Sequence, residues 1–114
     1  MLFRSRSDLI VSGGMNVYPS EIEYCVAELE GVTEVAVVGV PHERWGQTPI
    51  VVVVRSAGSS IDEADVIAHC ATNLARYKRP SGVRFVEALP RSASNKVLKH
   101  VLREQTVLAA VGPA

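Results

Sequence analysis

Two glycine-containing loops of this 114-residue sequence carry residue types that packing alone does not require. The sequence Ser-Gly-Gly at residues 12–14 permits positive φ angles and lets a backbone or a ligand approach closely. The sequence Glu-Arg-Trp-Gly at residues 43–46 holds the only tryptophan, Trp45, in a polar segment. Both loops also have a structural interpretation: the glycines fit a tight hairpin turn, and the indole could fold back over the core.

Two basic segments add the possibility of binding an anion. Residues 89–96, Leu-Pro-Arg-Ser-Ala-Ser-Asn-Lys, form a polar loop that is predicted to enter a helix near Asn95. A lysine in the first turn of a helix opposes the helix dipole, so Lys96 is either solvated or directed at a phosphate or carboxylate. Residues 75–80, Ala-Arg-Tyr-Lys-Arg-Pro, could hold a nucleotide by stacking and phosphate pairing. A solvated helix end explains this second segment almost as well.

Hydrophobic periodicity and turn residues predict the elements that position these loops. A capping box of Ser20 and Glu23 is expected to begin the first helix. Ser60 and Glu63 are expected to cap the second helix, whose apolar stripe is Ala64, Ile67, Ala68, Ala71 and Leu74. The predicted elements are extended segments at 8–11 and 15–18, a helix from Pro19, strands at 35–40 and 50–54, a helix from Ser60, a strand at 83–86 and a helix from about Asn95.

This order of elements predicts an α+β domain, with a small three-stranded sheet plus an N-terminal hairpin and helices packed on it. The chain is 47% hydrophobic and 21% charged, which is typical of a folded domain and not of a disordered segment. A domain of this length forms one core but rarely encloses a deep substrate pocket as well. The chemistry is therefore expected on a surface or against another domain.

Charge and cysteine content exclude several classes of protein. Lys and Arg together number 12, as do Asp and Glu, so a protein that binds nucleic acid through phosphate neutralisation is not expected. Cys25 and Cys70 have neither metal-type nor redox-type spacing, and the three histidines share no ligand spacing, so no metal site is predicted. The apolar runs are too short to span a bilayer and the first residues do not resemble a signal peptide, which favours a cytoplasmic protein.

Four segments taken together resemble the C-terminal domain of the adenylate-forming acyl- and aryl-CoA synthetases. The first is Asp-Leu-Ile-Val-Ser-Gly-Gly-Met-Asn-Val-Tyr-Pro-Ser-Glu-Ile-Glu at residues 8–23. The second is Val-Val-Gly-Val-Pro-His-Glu-Arg-Trp-Gly-Gln at residues 37–47, and the segments at 75–80 and 89–96 follow in the order and spacing of the family. The chain is similar to fatty-acid–CoA ligases, and its Ser-Asn-Lys ending at Lys96 resembles that of 4-chlorobenzoate–CoA ligases.

The resemblance implies a domain that serves two half-reactions. In this family the small C-terminal domain rotates about a hinge, first bringing a lysine to the site where a carboxylic acid and ATP form an acyl-adenylate. In its second pose the domain supplies the tunnel through which CoA forms the thioester. By resemblance, Lys96 is the adenylation lysine. The residues implied to bind CoA are Gly13, Gly14 and Trp45 for the pantetheine arm, and Tyr77 and Arg79 for the nucleotide.

The resemblance also divides the chain and shows where it departs from the family. The hinge is implied at Ser7 and Asp8, but a gapless match places Ser5 where the family usually has an arginine, between Arg4 and Arg6. The implied divisions are a hinge and linker remnant at residues 1–7, the domain at 8–105 and a frayed tail at 106–114.

The implied partners lie outside this chain. They are the N-terminal adenylation domain of the same enzyme, a fatty or aromatic carboxylic acid, ATP or AMP, CoA, and Mg²⁺ bound by the N-terminal domain. The isolated 114-residue chain is not expected to be active without that domain. The alternative is a stand-alone, non-catalytic module that binds CoA or a partner protein.

Overall fold

The computed structural model describes residues 9–111, so the implied hinge residues Ser7 and Asp8 lie outside the described residues. A single turn of 3₁₀ helix at Arg76–Lys78 follows the second α-helix. The elements are β1 (Ile10–Ser12), β2 (Met15–Val17), α1 (Pro19–Ala27), β3 (Val32–His42), β4 (Gly46–Arg55), α2 (Glu63–Asn73), β5 (Gly82–Val86) and α3 (Lys99–Val111).

One five-stranded sheet organises the fold. The long strands β3 and β4 form an antiparallel ladder from the Val32–Arg55 pair to the His42–Gly46 pair. On the other side of β4, β5 runs parallel to it, and β1 joins where Ser12 pairs with Gly46. The predicted α+β class is confirmed. The hairpin of β1 and β2 is an extension of the sheet, because β4 is long enough to pair with β1 and β5 in turn.

Helices cover both faces of the sheet, so the two long strands β3 and β4 are buried on each face. Successive side chains of a strand point to opposite faces, and the valine runs of β3 and β4 therefore fill two cores. Helices α1 and α2 close the first core, which contains Ile10, Val17, Ile22, Cys25, Val26, Val37, Val51, Val53, Ile61, Val66, Cys70 and Leu74. Helix α3 closes the second, which contains Ala36, Val38, Val40, Val52, Val54, Leu89 and Leu102.

The first helix begins at Pro19 as predicted, but its predicted cap was wrong, as were the predicted starts of the other two helices. Helix α1 begins at Pro19 after Tyr18, and Ser20 makes no capping bond. Its expected partner Glu23 instead accepts a hydrogen bond from the backbone N–H of Val37 at 2.8 Å, so a tertiary contact replaces the local one.

Helix α2 has its capping box two residues later than predicted. Asp62 and Asp65 bond each other's backbone N–H groups at 2.9 and 3.0 Å, because their carboxylates are well suited to the positive end of the helix. The buried face of this helix carries Val66 and Cys70, whereas the predicted stripe residues Ala64 and Ala68 are exposed.

Helix α3 begins at Lys99 rather than near Asn95, and it continues to Val111. A regular helix therefore covers most of residues 106–114, the segment assigned to a frayed tail. Thr106 is buried within this helix and donates a hydrogen bond to the carbonyl of Leu102 at 2.8 Å.

Candidate functional site

The Gly-Gly turn and the tryptophan loop lie side by side. Gly13 and Gly14 have φ angles of +59° and +82°, as required of the two central residues of the tightest hairpin turns. Because Ser12 pairs with Gly46, this turn lies next to the turn that joins β3 and β4. The N–H of Gly13 donates to the carbonyl of Trp45 at 2.9 Å. The structure thus brings Gly13 and Gly14 together with Trp45, which lies far from them in the sequence.

His42 holds the tryptophan turn in place. Its Nδ1 accepts hydrogen bonds from the backbone N–H groups of Arg44 and Trp45 at 3.0 and 3.2 Å. Its imidazole ring stacks on the indole, with the ring centroids 4.2 Å apart and the planes inclined by 9°. The indole remains 43% exposed, and a Cβ atom added at Gly14 would meet nothing within 4 Å. An apolar surface therefore lies beside open space, and Trp45 does not fold back over the core.

The basic segment at residues 75–80 lies beside β2, which is the strand that follows the Gly-Gly turn. Tyr77 is 40% exposed in the 3₁₀ turn. The guanidinium of Arg79 donates to the carbonyls of Leu74 at 3.1 Å and Ala71 at 2.9 Å, which closes the end of α2. The sequence left open whether residues 75–80 end a helix or hold a nucleotide. The contacts of Arg79 with the last carbonyls of α2 are those of a helix end. The Nη1 group of Arg79 makes no hydrogen bond within residues 9–111.

Lys78 links this segment to α1 through a hydrogen bond. Its ammonium donates to the carboxylate of Glu21 at 2.9 Å and lies 5.5 Å from the centre of the Tyr77 ring. The hydrogen bond to Glu21 raises the pKa of Lys78, so this lysine remains charged at neutral pH. Lys78 is therefore a fixed positive charge beside an exposed aromatic ring.

Lys96 lies in a closed loop and not in a helix. The N–H of Ser92 donates to the carbonyl of Lys96 at 2.9 Å, and the N–H of Asn95 donates to the carbonyl of Ser92 at 2.8 Å. Asn95 has a φ angle of +71°, a conformation that asparagine tolerates better than most residues. Since α3 begins only at Lys99, the predicted opposition between Lys96 and the helix dipole was wrong.

Arg91 fastens this loop to the sheet. Its Nη1 group donates to the carbonyl of Asn95 at 2.9 Å, and its Nη2 group forms an ion pair with Glu34. The side chain of Lys96 is exposed, and its ammonium has no ion pair or hydrogen bond within the part of the chain that the structure describes. The loop is thus ordered around a lysine that remains available to an anion.

The lysine loop and the tryptophan turn lie at opposite ends of β3. Glu34, which holds Arg91, is near the start of the strand, and His42, which supports Trp45, is its last residue. At 3.3 Å per residue these two anchoring residues are about 26 Å apart along the strand. The structure therefore does not bring Lys96 together with Gly13, Gly14 and Trp45.

Between these ends, an ion pair that the sequence analysis missed joins α1, β3 and α3. The ammonium of Lys99 lies 2.9 Å from the carboxylate of Glu23 and donates to the carbonyl of Val37 at 2.9 Å. Together the two side chains satisfy the outward N–H and C=O groups of Val37 on an edge strand. No local signal could reveal this contact, because its members come from three separate elements.

Comparisons with known proteins agree with this architecture. The profile of the AMP-binding enzyme C-terminal domain matches residues 21–96. The 3-[(3aS,4S,7aS)-7a-methyl-1,5-dioxo-octahydro-1H-inden-4-yl]propanoyl:CoA ligase of Rhodococcus jostii is 51% identical over 86% of this chain and 19% of its own length. The 2-succinylbenzoate–CoA ligase of Listeria monocytogenes is 49% identical over 88% of this chain and 21% of its own.

A solved structure gives the same result in three dimensions. ATP-bound MatB from Rhodopseudomonas palustris superposes with a TM-score of 0.84 at 48% identity, over 86% of this chain and 20% of its own. This chain therefore spans about a fifth of the length of the relatives it matches. Among the described residues, no helix has the length and apolar character needed to cross a membrane. On the strength of the profile match, the sequence identity and the shared fold, the chain belongs to the AMP-binding enzyme C-terminal domain family.

Proposed function

We propose that this domain is the mobile C-terminal part of an ATP-dependent acid–thiol ligase. The enzyme activates a fatty or aromatic carboxylic acid as an acyl-adenylate and then transfers the acyl group to CoA. Membership of the family supports this function, as do the names of the relatives, which are CoA ligases for a long-chain fatty acid, 2-succinylbenzoate and a ring-containing propanoate. The acids differ widely among these relatives, so the proposal extends to the class of acid and not to one compound.

The observation that carries the proposal is the separation of the two candidate regions. Lys96 and Trp45 lie in loops anchored at opposite ends of β3, and each loop is fixed by its own hydrogen bonds. A domain with two such regions can present one of them to an active site and then, after rotation, the other. We therefore assign Lys96 to adenylation and the region around Trp45 to thioester formation.

The chemistry of adenylation favours a lysine that has no partner within its own domain. A carboxylate must approach the α-phosphate of ATP, and both groups are anions. An ammonium group placed between them lowers the electrostatic barrier, most strongly where water is excluded. Lys96 fits this role because its ammonium makes no bond within residues 9–111, while Arg91 orders the backbone beside it.

The region around Trp45 fits a CoA molecule in two parts. The open space at Gly14 accommodates a thin pantetheine arm, and the indole of Trp45 provides an apolar wall. Tyr77 can stack on the adenine ring, and the free Nη1 group of Arg79 can donate to a phosphate while the rest of the guanidinium holds α2.

The remaining components of the reaction are assigned to the N-terminal adenylation domain, which we propose as the partner. Mg²⁺ prefers oxygen ligands in an octahedral arrangement. The one group of three metal-type side chains within residues 9–111 contains a thiol and an imidazole, so Mg²⁺ is better held by the partner domain together with ATP. We place the enzyme in the cytoplasm, where ATP and CoA are both available. The relatives do not favour a stand-alone binding module, since they are CoA ligases about five times longer.

The proposal is tested by measuring the two half-reactions separately. The chain is joined to a matching N-terminal domain, and pyrophosphate release is followed with ATP and a panel of fatty and aromatic acids. Thioester formation is then followed from pre-made acyl-adenylate and CoA. We expect both reactions to require this domain. If the N-terminal domain forms acyl-adenylate and thioester equally fast without the domain, the proposed function is wrong.

A further inference from the structure

Three side chains that can bind a metal meet where α1 packs against α2, and a second thiol lies beside one of them. Cys25 and Glu28 lie at the end of α1, and His69 and Cys70 lie on α2. The sulfur of Cys25, a carboxylate oxygen of Glu28 and an imidazole nitrogen of His69 are all within 4.8 Å of one another. The thiol of Cys70 is in hydrogen-bond contact with that of Cys25. The spacing in the sequence hides this group, because its two halves come from different helices.

Hydrogen bonds already fix the imidazole of His69 in this group. Its Nε2 donates to the carbonyl of Cys25 at 2.9 Å and to the carboxylate of Glu28 at 3.2 Å. Asn73 lies behind the ring, with its amide donating to the carbonyl of His69 at 2.8 Å. The two thiols are buried, whereas the side chain of Glu28 is 67% exposed, so an ion can enter from the solvent at the carboxylate.

The set of donors is suited to zinc. Zn²⁺ takes thiolate, imidazole and carboxylate ligands at about 2.0–2.3 Å in a tetrahedron, which places the ligand atoms about 3.3–3.8 Å apart. For Cys25, Glu28 and His69 the present separations of up to 4.8 Å require movements of about 1 Å, within the range that rotamer adjustment of an exposed glutamate and a partly exposed histidine provides. Mg²⁺ and Ca²⁺ are not expected here, since both prefer oxygen ligands.

The buried thiols are neutral in the metal-free domain. Burial raises the pKa of Cys70 to about 12, and burial likewise raises the pKa of Cys25. A bound metal would replace the proton of a coordinating thiol, because only the thiolate is a ligand. It would also replace the proton on Nε2 of His69, which moves to Nδ1 in the other neutral tautomer, so the hydrogen bond to the Cys25 carbonyl is exchanged for the metal bond. Metal binding would therefore release protons and cross-link the two helices.

We propose that Cys25, Glu28 and His69 form a zinc site that joins α1 to α2, with the fourth position taken by water or by Cys70. Nothing in the proposed ligase chemistry uses this site, which is on the helix pair and not at the turns that carry Trp45 or Lys96. Its role is to fasten the two helices that cover one face of the sheet. The inference does not depend on the proposed function.

The test uses the tag-free 114-residue chain after treatment with a chelator. Zn²⁺ is titrated against a chromophoric chelator, and Co²⁺ is used as a probe whose absorption spectrum reports tetrahedral coordination by thiolate. We expect one equivalent of metal, a thiolate-to-cobalt charge-transfer band, and a higher melting temperature with Zn²⁺. A chain that shows no such band with Co²⁺ would refute the proposal.

Two variants change ligands whose side chains are at least partly exposed, so that the test does not depend on the packing of the buried thiols. We expect Glu28→Gln and His69→Gln each to weaken Zn²⁺ binding, His69→Gln by roughly a hundredfold, with the metal-free fold unchanged by circular dichroism. The matched controls, Glu30→Gln and His100→Gln, change exposed residues outside the group and should bind Zn²⁺ normally. Equal affinity in His69→Gln and His100→Gln would show that the metal binds elsewhere, and the proposal would fail.

Discussion

The lysine loop at residues 91–97 and the tryptophan turn at residues 43–45 are both short, exposed segments, yet they are built differently. The lysine loop is closed by backbone bonds and one arginine, and its functional group has no bond within the described chain. The tryptophan turn is held by an imidazole that stacks on the functional group itself. The ammonium that we propose for adenylation makes no bond within the described chain, whereas the indole that we propose as a wall for CoA is fixed in place.

This difference fits the two reaction steps that we propose for the domain. A lysine that reaches into an active site needs an ordered backbone and a free ammonium, and the Arg91 contacts provide the first without using the second. A tunnel wall needs a rigid shape, because losing rotamer freedom on binding would reduce affinity. Placing the two at opposite ends of β3 keeps either from obstructing the other.

The largest expected effect comes from removing the ammonium of Lys96. In the ligase completed with an N-terminal domain, Lys96→Ala should slow acyl-adenylate formation by roughly a hundredfold or more, equivalent to about 3 kcal/mol, because a charge that stabilises the transition state is lost. Thioester formation from pre-made acyl-adenylate should remain nearly unchanged. Arg103→Ala, which removes an exposed charge on α3, is the control and should affect neither step. Equal slowing of both steps by Lys96→Ala would contradict the separation of the two regions.

The reverse pattern is expected at the tryptophan turn. Trp45→Ala should slow thioester formation about tenfold and spare adenylation, since it removes the apolar wall but no charge. Trp45→Phe keeps an aromatic surface and should retain most of the rate. Gly14→Ile should also impair the thioester step, because it places a branched side chain in the open space at a φ of +82°. Slower adenylation in Trp45→Ala, with thioester formation intact, would reverse the assignment.

Patterns determined by local chemistry were predictable from the sequence. The valine runs identify β3 and β4 because a strand buried on both faces must be apolar throughout. The Gly-Gly pair identifies the hairpin because its turn needs two positive φ angles. The start of α3 was missed because Arg91 and Ser92 hold the preceding residues in a loop.

Contacts between distant elements set the limit of such prediction. Glu23 has the spacing of a capping residue, but its carboxylate binds Val37 and Lys99, which are close only after folding. The meeting of Cys25 with His69 is hidden for the same reason. The separation of Lys96 from Trp45 likewise depends on the register of β3 with β4 and on the pairing of Arg91 with Glu34.

A smaller effect is expected when the lysine loop is loosened without changing Lys96. Arg91→Met removes the hydrogen bond to Asn95 and the ion pair with Glu34, interactions worth about 1 kcal/mol together in a partly exposed site. Adenylation should slow about fivefold, with thioester formation unchanged. Glu34→Gln, which leaves the bond to Asn95, should have a smaller effect on the same step. If Arg91→Met slows both half-reactions to the same extent, Arg91 supports the fold in general and not the lysine loop.

The smallest expected effect concerns CoA and the isolated chain. Only one side of the proposed tunnel is present, so little ligand surface is buried and the affinity should be weak, with a dissociation constant in the millimolar range. Titration with CoA should change the fluorescence of Trp45, the only tryptophan in the chain. Tyr77→Ala should weaken the response about threefold, whereas Tyr24→Ala, which removes an exposed tyrosine on α1, should not change it. Sub-micromolar binding would instead indicate a complete CoA site within this domain. The tryptophan turn would then not depend on a partner domain, and the contrast between the two ends of β3 would have to be revised.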